Sequence, residues 1–378
     1  MHCQKAEGMR IAILTQPLYD NFGGILQCYA LQTVLKYQGH KVDVLGEDIQ
    51  KLGFRDRISI CVKRIIKFIL RIDKDFYGCQ TADEAVARNT RSFVSKHIRV
   101  RRVRDLNKVK VGEYDALVVG SDQVWRKEYN TFHPLEMSFL DFAKNWNVIR
   151  VAYAASFGTD IWDYTPEETE KCRTLLGLFQ AVSVRETSGI ELCRRHLDSD
   201  AVRMPDPALL LPKEHYLKFA EDIPNAGHEG GLFVYLLDDK EDKRTFVKKI
   251  AEKTGLNPFM ENNPDRRDLS KPVSDRIQYP VERWLSGFRD AKFVITDSFH
   301  GCVFSILFNR PFLVIRNNGR GGSRFESLLD VFGLSDCLVS ENDILDFRYE
   351  TVEFDWKKIN AVLDRERQSA HDFLCRHI

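Results

Sequence analysis

No two cysteines in this sequence stand two residues apart, and the nine present, an odd number, fall mostly among apolar neighbours, as Cys28, Cys193 and Cys302 do. That argues against a zinc or disulfide framework and for reduced thiols in a core. Long apolar runs are also missing. No stretch reaches the roughly 20 residues of a membrane-spanning helix, and the amino-terminal MHCQKAEGMR lacks the apolar segment of a signal peptide. A cytoplasmic protein is expected. Nor is there an excess of charge: Lys plus Arg number 56 and Asp plus Glu 55, so the field of the whole molecule gives no reason to expect nucleic acid. Any attraction for anions must be local. Internal repeats and low-complexity tracts are absent. Histidines are scattered, and Asp20, Asp122 and Asp297 come from distant segments, so neither a metal nor a resident cofactor is indicated.

At 378 residues the chain exceeds one comfortable core, which makes two domains the expectation. From Met9 onward, short β-rich runs alternate with helical periods. RIAILTQ reads as a strand, GGILQCYALQTVLKYQG as a helix closed by Gly39, and KVDVLGE as the next strand. Further buried-type strands follow at 114–123, 149–158 and 181–186. The three prolines of MPDPALLLP, residues 204–212, suggest a crossover, after which GLFVYLL, KFVITDS and FLVIRN repeat the strand-helix alternation. The expectation is therefore an α/β protein of two Rossmann-like domains, spanning 1–203 and 204–355. A helix at 356–378 is expected to return to the first. In parallel sheets ligands bind beyond the carboxyl ends of the strands, so a cleft between the domains is the natural site.

Several segments place polar or glycine residues where a strand hands over to a helix. In LYDNFGGILQ, Asn21, Gly23 and Gly24 open a helix whose free N–H groups can receive an anion, although a plain glycine-rich connection explains them equally well. The spacing is neither a dinucleotide fingerprint nor a Walker loop. VVGSDQVW sets Ser121 and Asp122 after an apolar strand, where the carboxylate can bind sugar hydroxyls, assist a base or cap a turn. Arg185 follows a buried-type strand and must find an anion, either an internal carboxylate or a ligand. In ITDSFHGCVFSILF, His300 sits in the seam between a strand and a helix. An isolated histidine there is more often a satisfied core residue, but Asp297 and Ser298 offer partners that orient the ring and suit it to act as a general acid. Downstream, Arg316, Arg320 and Arg324 lie among glycines and asparagines in a cationic loop fit for phosphate or carboxylate, or simply for solvent.

One segment stands apart. In FRDRISICVKRIIKFILRIDKDF, residues 54–76, apolar residues at 58, 62, 65, 66, 69 and 72 recur at helical spacing, with Arg57, Lys63, Arg64, Lys67, Arg71 and Lys74 as a basic complement. Such a helix either packs on the first domain with its basic face solvated, the expectation favoured here, or lies on an anionic membrane surface.

Taken in order, NFGGILQCYALQ, VVGSDQVW, YAASFG, VSVRE, DPALLL and TDSFHGCVFSILFNRPF resemble the polysaccharide pyruvyl transferase family, over about Met9 to Leu334. The resemblance implies a GT-B-like pair of domains. It also implies transfer of pyruvate from phosphoenolpyruvate, as co-substrate, to a sugar hydroxyl pair, giving a cyclic ketal on a capsule or exopolysaccharide or its lipid-linked precursor. His300 then occupies the place of the general acid and Arg185 that of the arginine gripping phosphoenolpyruvate. Some members carry an arginine where this chain has Ser298. The second phosphate ligand must then come from Arg316, Arg320 or Arg324, and Arg324, which opens a helix, is preferred. A lipid-linked acceptor would give the basic helix a reason to touch the inner membrane face. Two readings of other classes stay open: a GT-B-like glycosyltransferase using a nucleotide sugar, and a non-catalytic glycan-binding protein.

Overall fold

The computed structural model describes residues 8–47, 54–70, 81–131, 133–224, 228–238, 240–317, 321–340, 344 and 352–378. Two parallel sheets organise the chain. The first comprises β1 (Arg10–Leu14), β2 (Lys41–Glu47), β3 (Val100–Val103), β4 (Ala116–Val119), β5 (Ile149–Ala155), β6 (Ala181–Val184) and β7 (Val202–Arg203), in the order β3-β2-β1-β4-β5-β6-β7. The second comprises β8 (Gly231–Tyr235), β9 (Pro258–Phe259), β10 (Ala291–Thr296), β11 (Phe312–Ile315) and β12 (Leu338–Val339), in the order β12-β11-β10-β8-β9. Every pairing is parallel, so each strand is followed by a crossover that covers a sheet face. That is why β4, β6, β8 and β11 are buried along their whole length instead of alternating.

Local chemistry fixes the boundaries that matter for the site. The Asn21 side chain accepts from Gly24 N at 3.2 Å and caps the helix Phe22–Tyr37, whose exit is made by Gly39 at φ 97°. The helix Pro166–Leu176 opens with a reciprocal Thr165/Glu168 capping box.

The two units meet through an aromatic seam. Phe22, at the start of the first crossover helix, stacks on Trp284 of the second unit with centroids 5.4 Å apart, and Trp284 meets Phe304 edge-on at 5.0 Å. The carboxyl-terminal helix Trp356–His377 lies on the first unit. Arg203 Nη2 is 2.6 Å from both Glu366 oxygens, Arg367 Nε donates to Leu209 O at 2.8 Å, and Phe373 packs on Tyr153. Two Rossmann-like units arranged in this way have the GT-B-like organisation that the resemblance implied.

Helix 54–76 differs from its expected packing. The described helix runs Phe54–Ile69, while 71–76 lie outside the described residues. Its apolar stripe is not covered by the first unit: Ile58, Val62, Ile65, Ile66 and Ile69 are all exposed. Five of the cysteines, Cys28, Cys172, Cys193, Cys302 and Cys337, are free and buried, and burial pushes the Cys28, Cys193 and Cys337 thiols up to about 12.

Candidate active site

Four chain segments converge where strands of both sheets end. β6 delivers Arg185, and β4 delivers Ser121 and Asp122. The turn after β7 delivers Asp206, and β10 leads through Ser298 into the helix Phe299–Leu307, which carries His300 near its start. Parallel strands open their carboxyl ends in this way because the following crossover helix starts there, which makes the position a natural ligand site.

Arg185 organises the cluster. Its Nη1 donates to Asp206 Oδ2 at 2.8 Å, its Nη2 reaches Asp122 Oδ1 at 3.3 Å, and its Cζ lies 4.3 Å from the centre of the Phe299 ring. His300 Nε2 is 3.4 Å from the same Asp206 oxygen. Arg324 brings a second guanidinium to within 5.5 Å of the Phe299 ring. All five polar side chains are buried. Glycine is required at position 23, because a Cβ there would stand 2.1 Å from His300 Cγ. At Gly120, φ is 119° and a Cβ would meet Tyr153 O at 2.2 Å, so the turn that presents Asp122 also depends on a bare backbone.

The charges in this cluster lean on one another. Burial pushes the Asp206 carboxyl up, but the nearby His300 ring, the Arg185 guanidinium and the Ala208 N–H outweigh it and hold the group well below the usual carboxylate range. Burial works against the Arg185 charge as well, and Asp122, Asp206 and Glu186 more than offset it. For Arg324, burial and then the like charge of Arg185 win, bringing it down to about 10. The two guanidiniums therefore repel each other, and Asp122, Asp206 and Glu186 supply the negative charge that offsets them. Two buried nitrogens of the cluster make no hydrogen bond, Arg185 Nε and His300 Nε2, the latter 3.4 Å from Asp206 Oδ2.

The structure separates the candidate residues. It brings His300, Arg185, Asp122 and Arg324 together. Asp297, expected to orient the histidine, does not: it accepts from Lys243 Nζ at 2.6 Å and from the Leu237 and Asp238 N–H groups, which fully occupies it beneath the second sheet. The carboxylate at the ring is Asp206. Ser298 lies beside the Tyr235 hydroxyl. Asn21 serves as a helix cap, Gly24 sits next to Asp122 Oδ2, and the Ser121 hydroxyl donates to Ala154 O at 2.6 Å. Arg316 Nη1 pairs with Glu326 at 2.5 Å, and Arg320 lies outside the described residues. Glu186 holds the β5 turn by accepting from Ser156 Oγ, Phe157 N and Gly158 N, and is not a hydrogen-bond partner of Arg185.

Asp206 was the residue that reading the chain passed over. Its signal was the Pro-Asp-Pro setting, in which Oδ1 caps Ala208 N at 3.0 Å and leaves Oδ2 to face Arg185 and His300.

A recess opens at the carboxyl ends of β1 and β2, lined in part by Gln16, Tyr19, Gly46, Arg102, Tyr129 and His133. It does not contain His300. Two hydrogen bonds tie its wall to the Asp122 loop: Thr15 Oγ1 donates to Ser121 O at 3.1 Å and Gln16 Nε2 to Gln123 O at 3.0 Å.

Comparison with known proteins gives relatives at three levels. "General stress protein 30" of Bacillus subtilis (strain 168) is 28% identical over 142 residues, which is 36% of this chain and 38% of that protein; the chain thus matches well under half of that relative's length. Among solved structures, a Methanocaldococcus jannaschii UDP-GlcNAc 2-epimerase in complex with UDP-GlcNAc and UDP is similar over 97% of this chain and 98% of its own, at 10% identity and TM-score 0.47. Arabidopsis thaliana UGT89C1 complexed with quercetin is similar over 97% and 99%, at 9% identity and TM-score 0.47. The family model described as polysaccharide pyruvyl transferase matches residues 21–319, a span that runs from the capping Asn21 through Asp122, Arg185, Asp206 and His300. The chain belongs to the polysaccharide pyruvyl transferase family.

Proposed function

We propose that the protein transfers pyruvate from phosphoenolpyruvate to a pair of hydroxyls on one sugar of a polysaccharide or its lipid-linked precursor, forming a cyclic ketal and releasing phosphate. The observation that carries this reading is the convergence of His300, Asp206, Arg185 and Arg324 around Phe299. An enol phosphate needs a proton at its methylene carbon and cations for its carboxylate and phosphate, and this cluster offers both kinds of group. No other co-substrate or cofactor enters the scheme.

In the reaction, His300 gives its proton to the methylene carbon, and the central carbon takes up the oxygen of a first sugar hydroxyl. Asp122 accepts that hydroxyl's proton. The bond from carbon to the phosphate oxygen then breaks, and a second hydroxyl of the same sugar attacks to close the ring. Of the two hydroxyl protons, one replaces the proton that His300 gave to the methyl group and the other leaves on phosphate. Asp206 holds the imidazole and Arg185 in register. Arg324 faces the phosphate in the place of the arginine that some family members carry where this chain has Ser298. These charges are buried and fixed in place before the reaction, so they can stabilise charge as it develops without reorganising. The recess lined by Tyr19, Arg102 and Tyr129 suits the sugar, because aromatic faces and fixed polar groups together recognise saccharide rings, and its wall is hydrogen-bonded to the loop of Asp122.

The test separates binding from turnover. His300→Asn should retain phosphoenolpyruvate binding by calorimetry while phosphate release in the presence of acceptor falls by about 10²- to 10⁴-fold, the range of a lost general acid. Unchanged turnover in that variant rules out the role given to His300.

A further inference from the structure

We infer that the helix Phe54–Ile69 is an interfacial anchor that lays the first unit on an anionic lipid bilayer. Ile58, Val62, Ile65, Ile66 and Ile69 stand at i, i+4, i+7, i+8 and i+11, so at 100° per residue they form one stripe. Each is 42 to 70% exposed, whereas the other long helices of the protein bury their apolar faces. Soluble proteins scatter single apolar side chains on their surfaces, and a continuous stripe of large aliphatic residues marks a surface that meets something apolar.

The occupant follows from charge. By sequence, Arg57, Lys63, Arg64 and Lys67 fall on the other side of the same periodicity, and with Arg55 they oppose a single carboxylate, Asp56, in a chain whose total charge is only +1. An aliphatic stripe backed by cations matches acyl chains edged by anionic headgroups, whereas a protein groove would have no need of the cations. The helix is about 24 Å long at 1.5 Å per residue, and no described helix is long and apolar enough to cross a membrane, so this one lies in the interface and does not span it.

Its position in the chain adds a geometric argument. Val44, Leu45 and Gly46 of β2 line the recess described above, and Phe54 follows Gly46 by eight positions, a reach of at most about 28 Å. A helix seated on the bilayer therefore keeps the mouth of that recess near the headgroups. The docking claim does not depend on pyruvyl transfer, because vesicle binding and phosphate release are read separately.

Flotation of the full chain with phosphatidylcholine vesicles, with and without phosphatidylglycerol, tests it, alongside sedimentation of the protein alone. The anionic vesicles should carry the protein at least about tenfold better than the neutral ones, with the advantage shrinking at high salt. Ile65→Asp/Ile69→Asp should abolish flotation while leaving the thermal midpoint and phosphate release on a water-soluble acceptor unchanged. Three outcomes overturn the inference. One is no flotation of the wild type on either vesicle, and another is equal flotation on both. The third is a wild-type dimer that the double variant converts to monomer, which would make a second copy the occupant.

Discussion

Gly23 and His300 press against each other so closely that the identity of one dictates the other. An added methyl group at position 23 would fall 2.1 Å from Cγ and 2.2 Å from Nδ1 of the imidazole. Gly23→Ala should therefore swing the ring away from Asp206 and lower kcat by about 10²-fold or more while the KM for phosphoenolpyruvate changes little, because a small misplacement of a reacting group is enough for such a loss. Steady-state kinetics on the folded variant checks this. Arg324→Ala acts on the other parameter: losing a charge-assisted contact to phosphate, worth about 1.5–3 kcal/mol, should weaken phosphoenolpyruvate binding by about 10- to 100-fold in calorimetry. Asp206 gives a pH signature. Its carboxyl is held below the usual carboxylate range when folded, so the unfolded chain binds the proton more readily. The resulting stability is fully present above the ordinary aspartate value of about 3.9 and fades as pH falls below it. Asp206→Asn should cost about 3 kcal/mol near neutrality by leaving buried Arg185 underpaired, and the gap in urea midpoint between wild type and variant should hold above about pH 3.9 and narrow only as the pH falls below it, through the lowered folded-state range.

At the scale of elements, periodicity revealed what is buried and central. The helix opening at Asn21, the strand Lys41–Glu47, the helix Glu241–Thr254 and the final helix from Trp356 stand where the apolar spacing and caps place them. Edge strands were harder to read. β3 lies at the rim of the first sheet and is built from VRRV inside a basic run, because a rim strand protects its free edge with charge and so loses the alternation that identifies a strand. The two-residue strands β7, β9 and β12 are too short to carry a period at all. Helix 54–69 was legible as amphipathic, but not which way it faces, since a period describes a stripe without naming its partner. The final helix ties the chain's end to the first unit through Leu374 and Phe373, both buried. Leu374→Ala should lower unfolding stability by about 3 kcal/mol in a chemical melt, the usual cost of emptying a leucine site in a core, without altering turnover per folded molecule.

Across the whole molecule, the near balance of charge conceals a local concentration that appears only once four segments are brought together. The strand-end rule located Arg185, Asp122 and His300 individually, because each follows an apolar strand. Pairing was beyond reach: Asp297 is the nearer carboxylate in sequence, yet Lys243 claims it, and Asp206, 94 positions before His300, takes the ring. A partner chosen by three-dimensional packing leaves no trace in local spacing. The central claim is that this assembled cluster activates phosphoenolpyruvate toward a sugar. The most direct measurement incubates the protein with phosphoenolpyruvate and glycans bearing a 4,6 hydroxyl pair, following glycan mass and free phosphate together. The expected result is one phosphate released per ketal mass added, both lost in His300→Asn. A glycan unchanged in mass with phosphoenolpyruvate, or one that instead gains a sugar from a nucleotide donor, would contradict it.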